Sequence, residues 1–334
     1  MTIKDVAKRA GVGIATVSRA LHGSPRVSAE TAARVKKAIE ELGYRPNTNA
    51  QSLASGRSQM LGLVVSDITN PFFPELVKGF EEVALDHGYD VFVASTNYEP
   101  ARTALCVRRM IERKVDGVAI MTSEIDPSLS DTFAKRKVPL VFLDVGEVAQ
   151  GVSNVKVDYA QGIAQVVEHL LALGHSQFAF LSGPLRLKSV IERRDAFLAC
   201  LQAPYGGRRR ALLVEEGNHK VAGGFEAMER VLERAPATTA VIASNDLTAM
   251  GALRAIRQRG LRVPEDISVA GFDDIQMAKY TEPPLTTVKL VRTEIARLAC
   301  EALLDSIRTR GMGVEYGLST SLVVRASTGR VRPR

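Results

Sequence analysis

The sequence predicts an α/β protein in which a small all-α domain precedes a larger two-lobed core with parallel sheets. Two observations lead to this prediction. Residues 3–42 repeat apolar side chains with the 3.6-residue period of helices, whereas from residue 61 short apolar runs alternate with amphipathic stretches. Continuous apolar strands that alternate with helices are typical of parallel sheets covered on both faces. The first round predicts strands at 61–65, 89–94, 117–121 and 140–143 with helices at 74–87, 100–113 and 128–137. The second round predicts strands at 178–181, 211–214, 240–243 and 267–270 with helices at 189–202, 221–234 and 246–259. Because the alternation occurs twice, we expect two similar lobes.

Three short helices are predicted at the N-terminus. The first lies between Thr2 and Gly11, the second spans 14–21, and the third lies between Ser28 and Gly43. Thr and Ser are favoured N-caps, and Gly is favoured directly after the last helical residue. Two short helices joined by a tight glycine turn and braced by a third form a helix-turn-helix. A generic three-helix bundle would have the same helix lengths.

The distribution of charge favours the helix-turn-helix. Residues 1–59 contain ten Lys and Arg against four Asp and Glu, so they carry +6 of the net charge of +7. A single basic stretch is usually a solvated face. A whole basic domain beside a nearly neutral remainder is typical of a protein that binds a polyanion. We therefore expect double-stranded DNA as a partner.

Several classes of protein are disfavoured by composition. The three cysteines are far apart and the five histidines lack ligand spacing, so we predict no disulfide framework, no metal site and no cofactor. Gly11 and Gly13 begin a GxGxxG-like run, but a helix pattern precedes them where a dinucleotide site needs a strand. The sequence begins with no apolar signal region and has no run long enough to span a bilayer. We expect a cytoplasmic, nucleoid-associated protein.

The N-terminal residues resemble the lactose/galactose repressor (LacI/GalR) family of bacterial transcription regulators. The resemblance lies in IKDVA at 3–7, AGV at 10–12, TVSR at 16–19 and YRPN at 44–47, and it continues to about Gly329. It implies a helix-turn-helix DNA-binding domain at 1–46, a hinge helix or linker at 47–59, an effector-binding core at 60–329 and a basic tail at 330–334.

By this resemblance, Ile14, Ala15 and Arg19 face base edges in the major groove. Arg19 is the strongest candidate, because arginine can pair bidentately with guanine. Hydroxyl side chains nearby would contact phosphates, which position the domain without reading sequence. Gly13 stands where the family usually has serine. The complete expected set is Thr2, Gly13, Ile14, Ala15, Thr16, Ser18, Arg19, Ser28, Asn47, Ala50, Gln51 and Leu53.

The segment 47–59 resembles the family's hinge helix, in which a leucine, here Leu53, wedges into the minor groove and bends DNA. Gln51 stands where the family usually has arginine. The segment is too short to be helical alone, so we expect it to fold on DNA against the copy in a second subunit. A flexible linker is the alternative. Since the sequence ends at Arg334 without a heptad segment, we expect a homodimer.

The core resembles the periplasmic sugar-binding fold, which implies three crossings between the lobes. Lobe one would comprise about 61–158 and 291–316, and lobe two about 159–290 and 317–329. In open α/β sheets, ligands bind beyond the carboxyl ends of the strands. The effector-binding residues expected there are Asn70, Phe72, Phe73, Asp144, Arg193, Phe225, Asn245 and Asp273.

Arg193 and Asp273 are the strongest of these candidates, because a buried charge needs a ligand or a partner. Phe72 or Phe73 alone is equally consistent with a core position, and Asp246 with a helix N-cap. The effector implied by the resemblance is a sugar or sugar derivative. Asn, Asp and Arg pair hydroxyl groups in several geometries, and an aromatic ring can cover an apolar sugar face.

These features predict a sequence-specific transcription regulator, a repressor whose operator affinity is controlled by a small molecule, and not an enzyme. A periplasmic-type solute-binding protein is one alternative, disfavoured by the basic helical domain. An α/β enzyme acting on a sugar or nucleotide is the other. It is disfavoured because no glycine fingerprint follows a strand and no nucleophile–base pair is evident. Fold alone would not separate these classes.

Overall fold

The computed structural model describes residues 1–21, 24–44, 57–122, 138–202 and 211–332. The chain divides into two compact units, Met1–Ser58 and Gln59–Arg334. None of the helices in the described ranges combines the length and the apolar character that crossing a membrane requires.

The first unit contains helices α1 (Ile3–Ala10), α2 (Ile14–Leu21) and α3 (Ala29–Leu42), at the positions predicted from the sequence. The predicted caps are also present. The backbone N–H of Thr2 donates to Asp5 Oδ2 at 2.8 Å, and Ser28 Oγ accepts from the Thr31 N–H at 3.3 Å. Gly11 ends α1 at φ 64°, a conformation in which glycine is strongly favoured.

The three helices bury one small apolar cluster. Its fully buried members come from all three helices, and they are Val6, Ala7, Ala10, Val17, Val35 and Ala38. An ion pair between Arg9 and Glu41, 2.6 Å long, joins α1 to α3 on the surface. This core fixes the orientation of α2, whose opposite face is left open.

The second unit contains two six-stranded sheets, as the two rounds of alternation predicted. The first sheet has the order β11-β5-β4-β3-β1-β2, and every pairing in it is parallel. Its strands are β1 (Met60–Val65), β2 (Asp90–Ser95), β3 (Gly117–Met121), β4 (Leu140–Leu143), β5 (Val152–Val157) and β11 (Glu315–Leu318).

The second sheet has the order β12-β10-β9-β8-β6-β7, and only the β10–β12 pair is antiparallel. Its strands are β6 (Gln177–Ser182), β7 (Ala211–Glu216), β8 (Ala240–Ala243), β9 (Ser268–Asp273), β10 (Thr286–Lys289) and β12 (Ser321–Val323).

Helices separate strands along the chain, both within each sheet and between the two sheets. They are α4 (Phe72–Asp86), α5 (Pro100–Glu112), α6 (Tyr159–Ala172), α7 (Lys188–Gln202), α8 (Val221–Arg234), α9 (Asp246–Gln258) and α10 (Arg292–Thr309), with a 3-10 helix at Gln276–Tyr280. The helix expected at 128–137 lies outside the described residues.

The chain passes from one sheet to the other three times: after β5, after β10 and after β11. β11 pairs with β5 as far as Leu318, so the first sheet continues two residues past the boundary expected at 316. We call each sheet with its helices a lobe. The carboxyl ends of β1, β2 and β4 in the first lobe and of β6–β9 in the second lobe supply the residues of one cleft.

Candidate functional site

The outer face of α2 carries the three residues expected to read bases. Val17 is buried in the small core, whereas Ala15 and Arg19 are exposed and Ile14 keeps 45% of its surface open. An isoleucine this exposed on a short helix has no packing role in its own unit. α2 therefore presents a mixed apolar and cationic face of the kind that enters a major groove.

The hydroxyl residues expected to contact phosphates lie at helix starts and on α2. Thr2 Oγ1 donates to Asp5 Oδ2 at 3.0 Å, and Ser28 Oγ donates to Thr31 Oγ1 at 2.9 Å, so both side chains already serve as helix caps. Thr16 and Ser18 are half-buried on α2. Gly13 is exposed, and its carbonyl accepts from the first N–H groups of α2. Asn47, Ala50, Gln51 and Leu53 lie outside the described residues.

The second unit has a cleft between its two lobes, and seven of the eight expected effector residues line it. The lining residues are Ser66, Asn70, Phe72, Phe73, Tyr98, Met121, Thr122, Leu143, Asp144, Tyr159, Leu187, Ser189, Arg193, His219, Asn245, Asp273 and Leu290. Residues that the strand-end rule selected are thus brought together in one cleft.

Phe225 is the expected residue that does not line this cleft. It lies in the first turn of α8, packs against the hydrophobic core, and its ring is covered by the Arg254 guanidinium at 5.6 Å. Because the phase of a helix after a loop is not fixed by the sequence, the face that carries Phe225 could not be predicted. His219, two residues before the helix, takes a place in the cleft instead.

Arg193 is the central cation of the cleft. Its guanidinium lies 4.4 Å from the ring centroids of both Tyr159 and Phe272, so two aromatic faces hold it. Nη1 donates to the Ser244 carbonyl oxygen at 2.5 Å. Its Nε is buried and has no hydrogen-bond partner among the residues that the structure describes. An arginine that is held between two rings, with an Nε–H that no described residue accepts, is well suited to donate a hydrogen bond to a ligand.

Asp144 is a buried carboxylate on the first-lobe side of the cleft. Its oxygens accept hydrogen bonds from the Val157 N–H at 2.9 Å and the Tyr159 hydroxyl at 2.6 Å. Burial raises the pKa of Asp144 to about 6, although these hydrogen bonds oppose the shift. The Asp144 carbonyl oxygen also accepts from Lys188 Nζ of the second lobe at 2.9 Å.

Asp273 is the corresponding carboxylate of the second lobe. Burial raises its pKa to about 6, while the charges of Arg193 and Arg292 pull it down. Its backbone has φ 111°, an unusual conformation for a residue with a side chain. Arg292 holds this backbone, since its Nη1 donates to the Asp273 carbonyl oxygen and its Nη2 donates to that of Asp274 at 3.0 Å.

The sequence left open whether Asp246 caps a helix or binds a ligand, and in the structure its neighbour Asn245 is the cap. Asn245 is the N-cap of α9, because its Oδ1 accepts from the Thr248 N–H at 2.9 Å, and it also lines the cleft. Asp246 is fully buried behind it and accepts from the Ile275 N–H at 2.8 Å and the Thr287 hydroxyl at 2.5 Å. Asp246 therefore has a structural role in joining α9 to β10.

Phe72, Phe73 and Asn70 form the first-lobe wall at the start of α4. The two rings meet edge to face with centroids 5.1 Å apart. Asn70 Oδ1 accepts from the Phe72 N–H at 3.1 Å, which fixes the amide at the start of the helix. This wall combines an apolar surface with one polar group.

The sequence reasoning missed Tyr98, Tyr159 and His219. Tyr98 and His219 each lie three residues beyond the end of an edge strand, β2 and β7, and both have φ near +60°. Burial lowers the pKa of His219 to about 3, so its imidazole is neutral. Tyr159 follows the first crossing between the lobes. A search for ring-bearing residues within three positions of each strand end would have found Tyr98 and His219. Tyr159 lies two residues past β5, a strand that the sequence did not predict.

Together these groups have the chemistry to bind a small polar molecule with an apolar face. Two carboxylates, one guanidinium and two amides converge between aromatic walls, which suits a ring that carries several hydroxyl groups. In the described ranges, no three His, Cys, Asp or Glu side chains are placed to hold a metal ion.

Comparison with known proteins finds a match in each of the two units. Residues 2–47 match the bacterial regulatory proteins of the lacI family, and residues 167–328 match a periplasmic binding protein-like domain. The chain is 35% identical to the probable HTH-type transcriptional repressor ExuR of Bacillus subtilis (strain 168), with 99% of each chain covered.

Two solved structures extend the comparison over the whole chain. The Lac repressor dimer bound to operator and the anti-inducer ONPF is 31% identical, with 98% of this chain and 99% of that chain covered and a TM-score of 0.88. The complex of the transcriptional regulator CelR with cellobiose is 32% identical, with 98% of this chain and 99% of that chain covered and a TM-score of 0.72. The chain belongs to the lacI family of bacterial regulatory proteins, and it is a DNA-binding transcription regulator with a helix-turn-helix unit and a periplasmic-binding-protein-like core.

Proposed function

We propose that this regulator is a repressor that binds a pseudo-palindromic operator as a homodimer, and that a sugar-like molecule in the cleft controls its operator affinity. It acts in the cytoplasm, at the nucleoid. The cleft binds its ligand and carries out no reaction.

The observation that carries this proposal is the burial of the Arg193 guanidinium in the cleft with one N–H group that no described residue accepts. Its guanidinium is buried between two rings with a donor left unpartnered among the described residues, and Asp273 faces the same space. Burying charged and polar groups without partners costs free energy. A ligand that accepts from Arg193 and donates to Asp144 and Asp273 would offset that cost.

A sugar satisfies these requirements best. Its hydroxyl groups donate to carboxylates and accept from a guanidinium, and its apolar face packs on rings such as Phe72 or Phe73. The complex of the relative CelR with cellobiose supports this ligand class. Nucleobases are the second class to test, because they also present donors and acceptors on a flat apolar ring.

Homodimeric binding follows from the size of the DNA-binding face. Ile14, Ala15 and Arg19 offer few base contacts, too few for one unit to specify a site in a genome. A two-fold dimer doubles them and requires two half-sites about one helical turn apart. The Lac repressor structure, a dimer bound to operator, supports the same arrangement.

The test is a thermal-shift screen of sugars and nucleobases on the full chain. A ligand present at about 100 times its Kd adds roughly 2.7 kcal/mol to the free energy of unfolding, which is a large shift in Tm. We expect at least one sugar to raise the Tm of the wild type and to leave Arg193→Ala unchanged. If no compound raises the Tm while operator binding is intact, the proposed effector class is wrong.

A further inference from the structure

We propose that the mouth of the cleft is a size filter that admits one sugar ring and excludes a second ring. The inference rests on the proposed function, because it assumes a sugar effector. It narrows the effector to a monosaccharide or a single-ring derivative that is held wholly inside the cleft.

The filter lies at one edge of the two sheets. β2 and β7 are the edge strands of the first and second sheets, and Tyr98 and His219 follow them at the same distance along the chain. Their ring centroids lie 6.4 Å apart across the interlobe space, tilted by 59°. A ligand too long for the cleft would have to extend past these two rings at this edge.

His219 is the fixed side of the filter. A Cβ added at Gly183 would lie 2.1 Å from His219 Nε2, so the imidazole packs directly on the Gly183 backbone and has no room to move back. Asn245 Nδ2 donates to the His219 carbonyl oxygen at 3.2 Å, which ties its loop to the start of α9. A ligand that presses on this ring therefore meets a rigid wall.

Tyr98 is the side of the filter that belongs to the first lobe. It is half-buried in the loop after β2, and its carbonyl oxygen accepts from Arg186 Nη2 of the second lobe at 3.4 Å. A second cross-lobe contact lies at the same edge, where Lys220 Nζ is 3.7 Å from Asp67 Oδ2. Polar contacts between the lobes therefore accompany the two rings and close this edge.

A further contact closes the cleft away from that edge. Lys188 Nζ donates to the Asp144 carbonyl oxygen at 2.9 Å, and β4, which precedes Asp144, is three strands away from β2. Arg193 lies five residues after Lys188 on α7, and Asp273 ends β9, which is three strands away from β7 in the second sheet. A second sugar ring would have to separate Tyr98 from His219 or break the Lys188 contact. The CelR complex with cellobiose shows that a regulator of similar fold holds a two-ring sugar, so the limit comes from these particular side chains.

The test compares matched sugars on the full-length protein by calorimetry. The pairs are glucose with cellobiose and galactose with lactose, together with ribose, xylose and glucuronate as single rings. We expect at least one single-ring sugar to bind, and its two-ring counterpart, where one is in the set, to bind at least about tenfold more weakly.

Variants of Tyr98 test the filter itself. Tyr98→Ala should reduce the ratio of single-ring to two-ring affinity by about tenfold, because the ring that blocks the exit is gone. Tyr98→Phe should keep the wild-type ratio, since it keeps the ring. Tyr280→Ala is the matched control, because Tyr280 is 79% exposed on the 3-10 helix and does not line the cleft. Unchanged Tm values establish that each variant folds.

The outcomes separate this inference from the proposed function. A two-ring sugar that binds the wild type as tightly as its single-ring counterpart overturns the filter and leaves the sugar effector standing. An unchanged affinity ratio in Tyr98→Ala overturns the role of Tyr98. If no sugar of either size binds while operator binding is intact, the sugar effector and the filter are both wrong.

Discussion

Asp144 links the electrostatics of the cleft to the stability of the protein. Burial raises its pKa from 3.8 to about 6, so between these values the native state holds a proton that the unfolded state has released. Stability then falls as pH rises, since the unfolded state binds fewer protons in this range. The contribution of Asp144 is fully present below pH 3.8 and is lost as pH rises through 6.

Asp144→Asn should remove this pH dependence. Between pH 3.8 and 7, the free energy of unfolding of the wild type should fall by about 3 kcal/mol relative to the variant, since each pKa unit corresponds to about 1.4 kcal/mol. The measurement is urea unfolding at a series of pH values. Asp305→Asn, an exposed carboxylate paired with Arg308, is the control and should follow the wild type. Parallel curves for wild type and Asp144→Asn would show that Asp144 titrates normally.

Arg19 should read one base pair in each half-site. We expect Arg19→Ala to cost about 1–3 kcal/mol on the operator and to relax the preference at that base pair. Fluorescence anisotropy on operator and on random DNA at one salt concentration measures both effects. Arg297→Ala is the control, because Arg297 lies on α10 of the second unit and pairs with Glu294 and Glu301. It should change neither affinity. An equal loss on both DNAs would contradict base reading by Arg19.

At single positions, the sequence predicted polar residues that follow strand ends and missed Tyr98 and His219, which also line the cleft. Asp144 and Asn245 were found because they lie one and two residues past strand ends. Tyr98 and His219 lie three residues past the ends of β2 and β7. Their backbones are left-handed, as is that of Asp144, and such a turn redirects a side chain by an amount that the sequence pattern does not encode.

The packing of α8 on α9 depends on two glycines. A Cβ at Gly224 would lie 2.2 Å from the Thr248 carbonyl oxygen, and a Cβ at Gly251 would lie 2.1 Å from that of Val221. Because these neighbours are backbone atoms, a side chain at either position forces the helices apart. The two helices carry Asn245 and the loop of His219 at their N-terminal ends, so their spacing also shapes the cleft.

Gly251→Ala should therefore destabilise the protein by about 1–3 kcal/mol or more, although alanine favours helix formation. Chemical denaturation measures the change. Gly317→Ala is the control, because no described atom lies within 4 Å of a Cβ there and its backbone is not left-handed. A Gly251→Ala protein as stable as the wild type would show that the helices separate at little cost.

Among the described residues, the strands and helices that the sequence predicted lie within three residues of their predicted ends, whereas β5, α6 and β10 were not predicted. The largest difference at a predicted end has a physical cause. The strand predicted at 267–270 is β9, which continues through Gly271 and Phe272 to Asp273. Gly and Asp are depleted in strands, so the sequence pattern ends too early. β9 lies between β8 and β10, and pairing with β10 as far as Asp273 overrides local preference.

Leu53 lies outside the described residues, and its role as a minor-groove wedge stays a prediction. We expect Leu53→Ala to reduce operator affinity and DNA bending together, because an inserted apolar side chain kinks the base step that it enters. Binding to random DNA depends mainly on basic charge and should be retained. Operator affinity and bend angle at one salt concentration provide the test. A variant that binds and bends operator like the wild type would reduce this segment to a linker.

At the scale of the molecule, regulation requires that the ligand favour one arrangement of the two lobes. The cleft draws its residues from both lobes, and Lys188, Lys220 and Arg186 already make contacts across it. A ligand that bridges Arg193 and Asp144 would stabilise the closed arrangement by the difference between its affinities for the two states. If operator binds one arrangement better than the other, linkage requires that the ligand change operator affinity by the same factor by which operator changes ligand affinity. That factor is tenfold for each 1.4 kcal/mol of coupling.

The most direct test of this account is operator affinity with and without a saturating concentration of the sugar identified by the thermal-shift screen. Fluorescence anisotropy at one fixed salt concentration measures it for the wild type and for Arg193→Ala. We expect the sugar to change the Kd of the wild type for operator by about tenfold or more and to leave that of Arg193→Ala unchanged, while both proteins bind operator equally well without it. A wild-type operator affinity that is the same with and without bound sugar would contradict control of DNA binding by the cleft.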